Sequence, residues 1–258
     1  MLEKYACVFV VGFIMCYTSY MSQYIKEIKL NKAINDTSYL NDIPAIKYLL
    51  QHGKLSFKKD VTFFVGENGT GKSTLIEAIA VAAGFNAEGG TKNFNFSTRR
   101  SHSDLWEFLT VSRTKQPKDG FFLRAESFYN TASYIDEIGV TDSYGGQSLH
   151  NQSHGESFLA LVQNRFAGNG LYILDEPEAA LSPMHLLTLM VEIHELVKNN
   201  SQFIIATHSP ILMAFPSAEI LSFSEEGIRS VAYEETEHYQ VTKAFLDNPK
   251  RMLNNLLE

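Results

Sequence analysis

The stretch Val61 to Thr74, VTFFVGENGTGKST, decides how this chain folds. Val61 to Val65 is a short, continuous apolar run that stops at Gly66, the pattern of a strand buried on both faces in a largely parallel sheet. Gly66 to Ser73 then satisfy G-x-x-x-x-G-K-[ST], with a further glycine at Gly69. A phosphate chain needs several backbone N–H groups converging on it, and side chains would obstruct that approach, so glycines stand where the loop wraps. A helix expected from about Lys72 to Ala83, closed by Gly84, adds its N-terminal amides and dipole to the same anion site. In a loop of this type Gly66, Glu67, Asn68, Gly69, Thr70, Gly71, Lys72, Ser73 and Thr74 are the candidate ATP contacts. Lys72 would meet the β and γ phosphates, and the Ser73 hydroxyl would ligate Mg²⁺.

Downstream, Leu171 to Leu174 is a second apolar strand, and it ends in Asp175-Glu176-Pro177. At a strand's C-terminal end consecutive side chains point in different directions, so the two acids can take separate tasks. Asp175 is placed to hold Mg²⁺ and Glu176 to polarise a water attacking the γ-phosphate. A third buried strand, Phe203 to Ala206, leads into Thr207-His208-Ser209-Pro210, and between the two Ser182-Pro183 opens a helix to about Lys198. Further strands are expected at Tyr24 to Leu30 and Phe121 to Ala125, and helices at Ile43 to Leu50 and Ala132 to Ile138. Residues 84–119, rich in Gly, Asn, Ser and Thr, read as an antiparallel lobe with loops, and 142–151 as a polar loop. Strands alternating with helices at this spacing argue for an α/β sheet built from crossover units.

With these motifs in order, the sequence resembles the ABC ATPase superfamily of P-loop proteins over residues 22 to about 235. Ser153-His154-Gly155-Glu156-Ser157 looks like the signature motif, some twenty residues before Asp175, with His154 in place of the first glycine. Its Ser-x-Gly-Glu form is closer to the chromosome-maintenance and RecF-like branch than to the transporters. Glu178 to Ser182 follows Pro177 where that family has its dimer-contacting D-loop. His208 resembles the switch histidine that senses the γ-phosphate. Where the family has a strand ending in glutamine this chain has Glu126, which either replaces it as a contact on the Mg²⁺ side or pairs with Arg124 or Arg100. The adenine-stacking aromatic of transporter subunits has no counterpart that can be located.

The resemblance implies a three-layer α/β fold with a mainly parallel central sheet, a small antiparallel β lobe and a short helical subdomain carrying the signature. It implies ATP hydrolysis with Glu176, His208 and Lys72 as catalytic groups, and Mg²⁺ held by Ser73, Asp175 and Glu126. It also implies an ATP-dependent homodimer, because Ser153, Gly155 and Glu156 of one subunit close over the nucleotide of the other.

Composition sets the outer bounds. The 258 residues, 45% hydrophobic, suffice for one substantial core. Lys and Arg number 22 against 29 Asp and Glu, a net charge of -7, so the chain carries no broad field for a polyanion. The longest basic runs are the pairs Lys58-Lys59 and Arg99-Arg100, so charge alone gives no nucleic-acid face. Both cysteines, Cys7 and Cys16, fall in the apolar segment near the start, which fits a reducing cytoplasm better than a disulfide-stapled domain. Residues 1–21 form a leader apart from the ATPase domain at 22–258. It reads as a membrane anchor with Lys26, Lys29 and Lys32 on the cytoplasmic flank, or as a stretch ahead of a true start at Met21, with a core helix the weaker third choice. Three roles stay open for the ATPase: a soluble switch linked to nucleic acid, the nucleotide-binding subunit of a membrane transporter, or a regulatory module that dimerises on ATP.

Overall fold

The computed structural model of the chain describes residues 23–91, 103–139 and 148–257. The leader at 1–21, Arg99-Arg100 and most of the polar loop at 142–151 therefore lie outside the described residues. Among the described residues no helix is long and apolar enough to cross a membrane.

Among the described residues nine strands form two sheets. Six of them, β3 (Val61–Gly66), β5 (Asp119–Arg124), β6 (Gly170–Asp175), β7 (Gln202–Ala206), β8 (Glu219–Ser224) and β9 (Gly227–Val231), lie in the order β5-β6-β7-β3-β8-β9. All neighbours are parallel except β8 and β9, which form a hairpin closed by Gly227 at φ 119°. The apolar runs sort by parity, as a sheet covered on both sides requires. Phe63, Val65, Tyr172, Leu174, Phe203 and Ile205 enter one core, while Phe64, Leu171, Ile173, Ile204 and Ala206 enter the other. Each fully buried Phe or Leu of these strands contributes on the order of 2 kcal/mol relative to exposure.

The first core is covered by α3 (Phe128–Glu137), α4 (His154–Arg165), α5 (Pro183–Lys198) and the short α6 (Pro210–Met213). The second is covered by α1 (Pro44–His52), α2 (Lys72–Ala82) and the small sheet β2-β1-β4, formed by β1 (Ile25–Leu30), β2 (Lys54–Ser56) and β4 (Leu109–Arg113). Two exposed helices, α7 (Glu237–Asp247) and α8 (Pro249–Leu257), close the chain. The fold is thus a three-layer α/β fold with a mostly parallel sheet, as the motif order implied.

Several boundaries differ from the sequence reading. The antiparallel lobe is not made from residues 84–119 alone: among the described residues β4 is the one strand of the lobe from that stretch, and its central strand is β1. Gln202 explains how that lobe is fixed. Its buried Oε1 accepts from the backbone N–H of Tyr24 and Ile25, and its Nε2 donates to the carbonyl of Ile25, tying β1 to the main sheet. Helix α3 begins at Phe128 rather than Ala132, and β2, β8, β9, α7 and α8 add to the expected elements.

Two glycines of the phosphate loop differ in what surrounds them. At Gly66, φ 134°, an added Cβ would stand 2.1 Å from the Phe223 carbonyl oxygen on β8, a backbone atom that cannot move aside. At Gly69, φ 84°, nothing lies within 4 Å. Gly66→Ala should therefore cost about 3 kcal/mol of folding stability, from a left-handed φ plus a backbone clash, and Gly69→Ala about 1 kcal/mol from φ alone. Urea unfolding of the two variants checks the difference, and equal losses would mean that Phe223 exerts no constraint.

Candidate active site

The parallel register sets four residues in a row across the sheet at one level. Arg124 on β5 pairs with Asp175 on β6, Asp175 with Ala206 on β7, and Ala206 with Phe64 on β3. The next residues along each strand leave the sheet at the same C-terminal edge. They are Glu176 after β6, Thr207 and His208 after β7, and the phosphate loop after β3. Ligand sites of open α/β sheets occupy this edge.

The loop delivers Lys72 and Ser73 into the first turn of α2, whose N-cap is Gly71 at φ 96°. An added Cβ at Gly71 would stand 2.4 Å from Cγ2 of Ile43, so α1 packs against the loop closely enough to demand glycine. Lys72 is only 4% exposed, and its Nζ donates to the carbonyls of Gly66 (2.7 Å) and Glu67 (2.9 Å). Burial lowers its pKa, while the carboxylates of Glu176, Asp175, Glu67 and Glu178 oppose that shift. A buried ammonium ringed by acids and backbone carbonyls is a cation that further negative charge would stabilise.

Ser73 Oγ donates to Asp175 Oδ1 at 3.3 Å. Asp175 is buried, and desolvation pushes its carboxyl up to about 6 against the pull of Arg124, with Glu176 adding to the rise. A buried carboxylate beside a hydroxyl, both oxygen donors at a phosphate loop, is the donor set that suits a hard cation such as Mg²⁺. Mg²⁺ therefore fits Ser73 and Asp175. Arg124 completes the inner surroundings, with its guanidinium 2.6 Å from Glu77 of α2 and 3.5 Å from Asp175.

Glu176 follows with φ 51°, a left-handed conformation for a residue with a side chain, which stores strain of about 1 kcal/mol or more. Its N–H donates to the Ala206 carbonyl (2.9 Å), and its Oε1 lies 3.7 Å from His208 Nε2. It also lines a cavity of about 130 Å³ with Ile43, Asn68, Gly69, Gly71, Lys72, Ser73 and Thr74. Glu178 accepts from Thr207 Oγ1 (2.8 Å) and from the His208 N–H, locking the turn after β6 to the turn after β7. Burial lowers the His208 pKa, and Lys72 adds to that.

The sequence-predicted residues fall into two groups. Lys72, Ser73, Asp175, Glu176 and His208 converge. Ser153, Gly155 and Glu156 do not line the phosphate-loop cavity. Ser153 caps α4 with Glu156 in a reciprocal capping box, and an added Cβ at Gly155 would stand 2.7 Å from His185 Nδ1 of α5, so local structure alone accounts for part of that pattern. Glu126 has an 87% exposed side chain, is paired with Arg124 at 3.4 Å, and lines a second cavity, about 340 Å³, with Glu176, His154 and Ala180. Arg124, Glu77 and His238 were not expected as site residues, and Glu178, expected at the start of a dimer-contacting loop, was not expected to bind Thr207 and His208. A glutamate inside the apolar run of α2 and an arginine inside FFLRA were the available signals, since buried charges need partners.

Because Asp175 titrates near 6 when folded and near 4 when unfolded, the folded chain binds one more proton across that window, and stability falls there as pH rises. Asp175→Asn, fixed in a neutral state, should leave the nucleotide-free protein with a higher melting temperature than wild type at about pH 7.5, and by a smaller margin at about pH 5. Scanning calorimetry at both pH values checks this, and a margin independent of pH would contradict it.

Comparison with known proteins adds the family context. Residues 43–132 match a family described as an AAA domain. Residues 157–214 match a second AAA domain family, whose description names the AbiEii toxin and the Type IV TA system. An ABC transporter G family member, STR2 of Medicago truncatula, is 25% identical over 171 residues, 58% of this chain and 24% of that protein. The chain thus spans about a quarter of the length of that relative. An uncharacterised ABC transporter ATP-binding protein of Haemophilus influenzae is 23% identical over 205 residues, 70% of this chain and 76% of that protein. Among solved structures, cbiO1 of Clostridium perfringens, part of an ABC transporter complex, aligns over 92% of this chain and 100% of its own at 16% identity, TM-score 0.47. The SMC head domain of Thermotoga maritima aligns over 81% of this chain and 98% of its own at 16% identity, TM-score 0.42. The two matched AAA segments hold the phosphate loop and the acid pair respectively, and over part of its length the chain is similar to ABC transporter ATP-binding proteins.

Proposed function

We propose that residues 22–258 act as one ATPase domain and as an ATP-driven switch, in which two copies close head to tail over bound nucleotide and separate after hydrolysis. The observation that carries this reading is the 3.3 Å contact between Ser73 of the phosphate loop and Asp175 of β6, with Glu176 next in the chain lining the cavity that Lys72 lines.

In this reading the backbone amides of Gly66 to Thr74 and the Lys72 ammonium bind the triphosphate, and Ser73 and Asp175 hold Mg²⁺. When held there, Mg²⁺ would supply positive charge against the triphosphate. Glu176 orients a water towards the γ-phosphorus and accepts its proton, while His208 donates to the γ-phosphate from Nε2. ATP and water become ADP and phosphate. Ser153, Gly155 and Glu156 at the N-terminus of α4 present a hydroxyl and backbone amides to the γ-phosphate held by the other copy. ATP joins the two copies because only the closed pair makes both sets of contacts, which is the differential affinity a switch requires.

The role of the switch has two supported readings. The Ser-x-Gly-Glu form of the signature and the family match at 157–214, whose description names a toxin system, favour a switch of the chromosome-maintenance and RecF-like branch acting on nucleic acid or in defence. The Haemophilus influenzae relative, matched over most of both chains, favours the nucleotide-binding subunit of a transporter. Stimulation of ATP turnover by DNA would select the first, and co-purification of a multi-span membrane protein the second.

Glu176→Gln should bind MgATP with near wild-type affinity, turn over at least about a hundredfold more slowly, and elute as a dimer in MgATP and a monomer without it. A monomer in both conditions would remove the dimer. Lys72→Ala should lose nucleotide binding or turnover in the same assays, and wild-type rates would remove the phosphate-loop assignment.

A further inference from the structure

His208 has both ring nitrogens engaged. Nε2 faces Glu176 Oε1 at 3.7 Å, and Nδ1 lies 2.9 Å from Nε2 of His238, in the first turn of α7. The two imidazoles stand at 57° with centroids 5.0 Å apart, so the contact joins nitrogen to nitrogen rather than stacking ring on ring. Only one proton fits between two nitrogens at 2.9 Å, and which ring carries it fixes which nitrogen of His208 is left as a donor.

The surroundings choose. A Glu176 carboxylate opposite Nε2 favours a hydrogen there and disfavours a bare lone pair. A neutral His208 with hydrogen on Nε2 has a lone pair on Nδ1, and His238 must then donate from its own Nε2. His238 sits at the positive end of α7, where a charged imidazole is disfavoured, so it is held neutral and supplies that one hydrogen. Burial pushes both imidazoles below their ordinary range, consistent with a neutral pair.

We infer that His238 is a positioning residue for ATP hydrolysis: by donating to Nδ1 it holds His208 in the tautomer that presents an Nε2 hydrogen beside Glu176, where the γ-phosphate is read. This rests on the proposed role of His208. It also gives the C-terminal helices a task. Helix α7 has no buried residue, yet it is anchored at Thr236 and reaches the nucleotide site through His238, so displacing α7 would release His208.

The test compares His208→Ala, His238→Ala, His238→Gln and the double alanine variant of the full chain in steady-state MgATP turnover. His238→Ala should lower kcat about tenfold with KM for ATP within about twofold, and His238→Gln, whose amide N–H can replace the lost donor, should recover most of that. The double variant should be no slower than His208→Ala. In ¹⁵N-histidine-labelled protein, His238→Ala should convert His208 from a single tautomer, hydrogen on Nε2, to a mixture. Wild-type kcat in His238→Ala while His208→Ala is slow would overturn this inference alone. Equal losses in His238→Ala and His238→Gln would overturn it in favour of a packing role. A His208→Ala variant at wild-type rate would overturn the role of His208 and this inference with it.

Discussion

A serine hydroxyl at the start of a helix meets a carboxylate at the end of a strand, and most of the molecule serves that contact. Ser73 and Asp175 are 102 positions apart in sequence and 3.3 Å apart in space. Between β3, which feeds the loop, and β6, which ends in the acid, runs β7, and the parallel register of the three strands fixes the level at which each ends. A slip of one residue in β6 would turn Asp175 away from the loop and exchange Leu171 and Ile173 with Tyr172 and Leu174 between the two cores. The same apolar packing that stabilises the sheet therefore positions the chemistry. The Gly66 backbone against Phe223 and the Gly71 backbone against Ile43 do the same for the loop, by excluding any side chain there.

Electrostatically the site balances buried charges. Asp175 and Glu77 are buried acids and Glu178 a half-buried one, with Lys72 and Arg124 the cations set against them. Arg124 bridges Glu77 and Asp175, and Glu178 spends its oxygens on Thr207 and the His208 N–H. Glu176 is left half exposed, strained at φ 51° and free of such ties, in contact with His208. Isolated buried charges cost several kcal/mol each, so the network is arranged to keep every ionised group near an opposite charge or a donor. In the proposed reading, a triphosphate with a divalent cation would exchange these contacts for stronger ones and so redraw the positions of Glu176, His208 and the helix joined to them.

Legibility in the sequence followed the physics of each signal. The strand VTFFV, the glycine loop and LYILDEP were plain because each combines a continuous apolar run with residue types that few other roles require. Helix α5 was legible to the residue, since Ser182 and Pro183 mark its cap and first turn. The hairpin β8-β9 escaped because SFSEEGIRS carries little apolar pattern and pairs through backbone bonds along one edge. The antiparallel sheet escaped in part because its strands come from three distant stretches, 25–30, 54–56 and 109–113, which no local pattern connects. Arg124, Glu178 and His238 belong to the site only through partners far away in sequence. For Ser153, Gly155 and Glu156 the sequence pattern reads equally as a capping box and a packed glycine, so a pattern alone could not separate fold from function there.

The most direct test is a crystal structure of the protein with Mg²⁺ and a slowly hydrolysed ATP analogue. The account predicts that Lys72 Nζ leaves the carbonyls of Gly66 and Glu67 for the β and γ phosphates, that Ser73 Oγ and Asp175 face the metal, and that Glu176 stands within one water of the γ-phosphorus. A nucleotide bound away from the Gly66 to Thr74 loop, or a triphosphate in that loop with Glu176 turned out of reach of its far end, would contradict it.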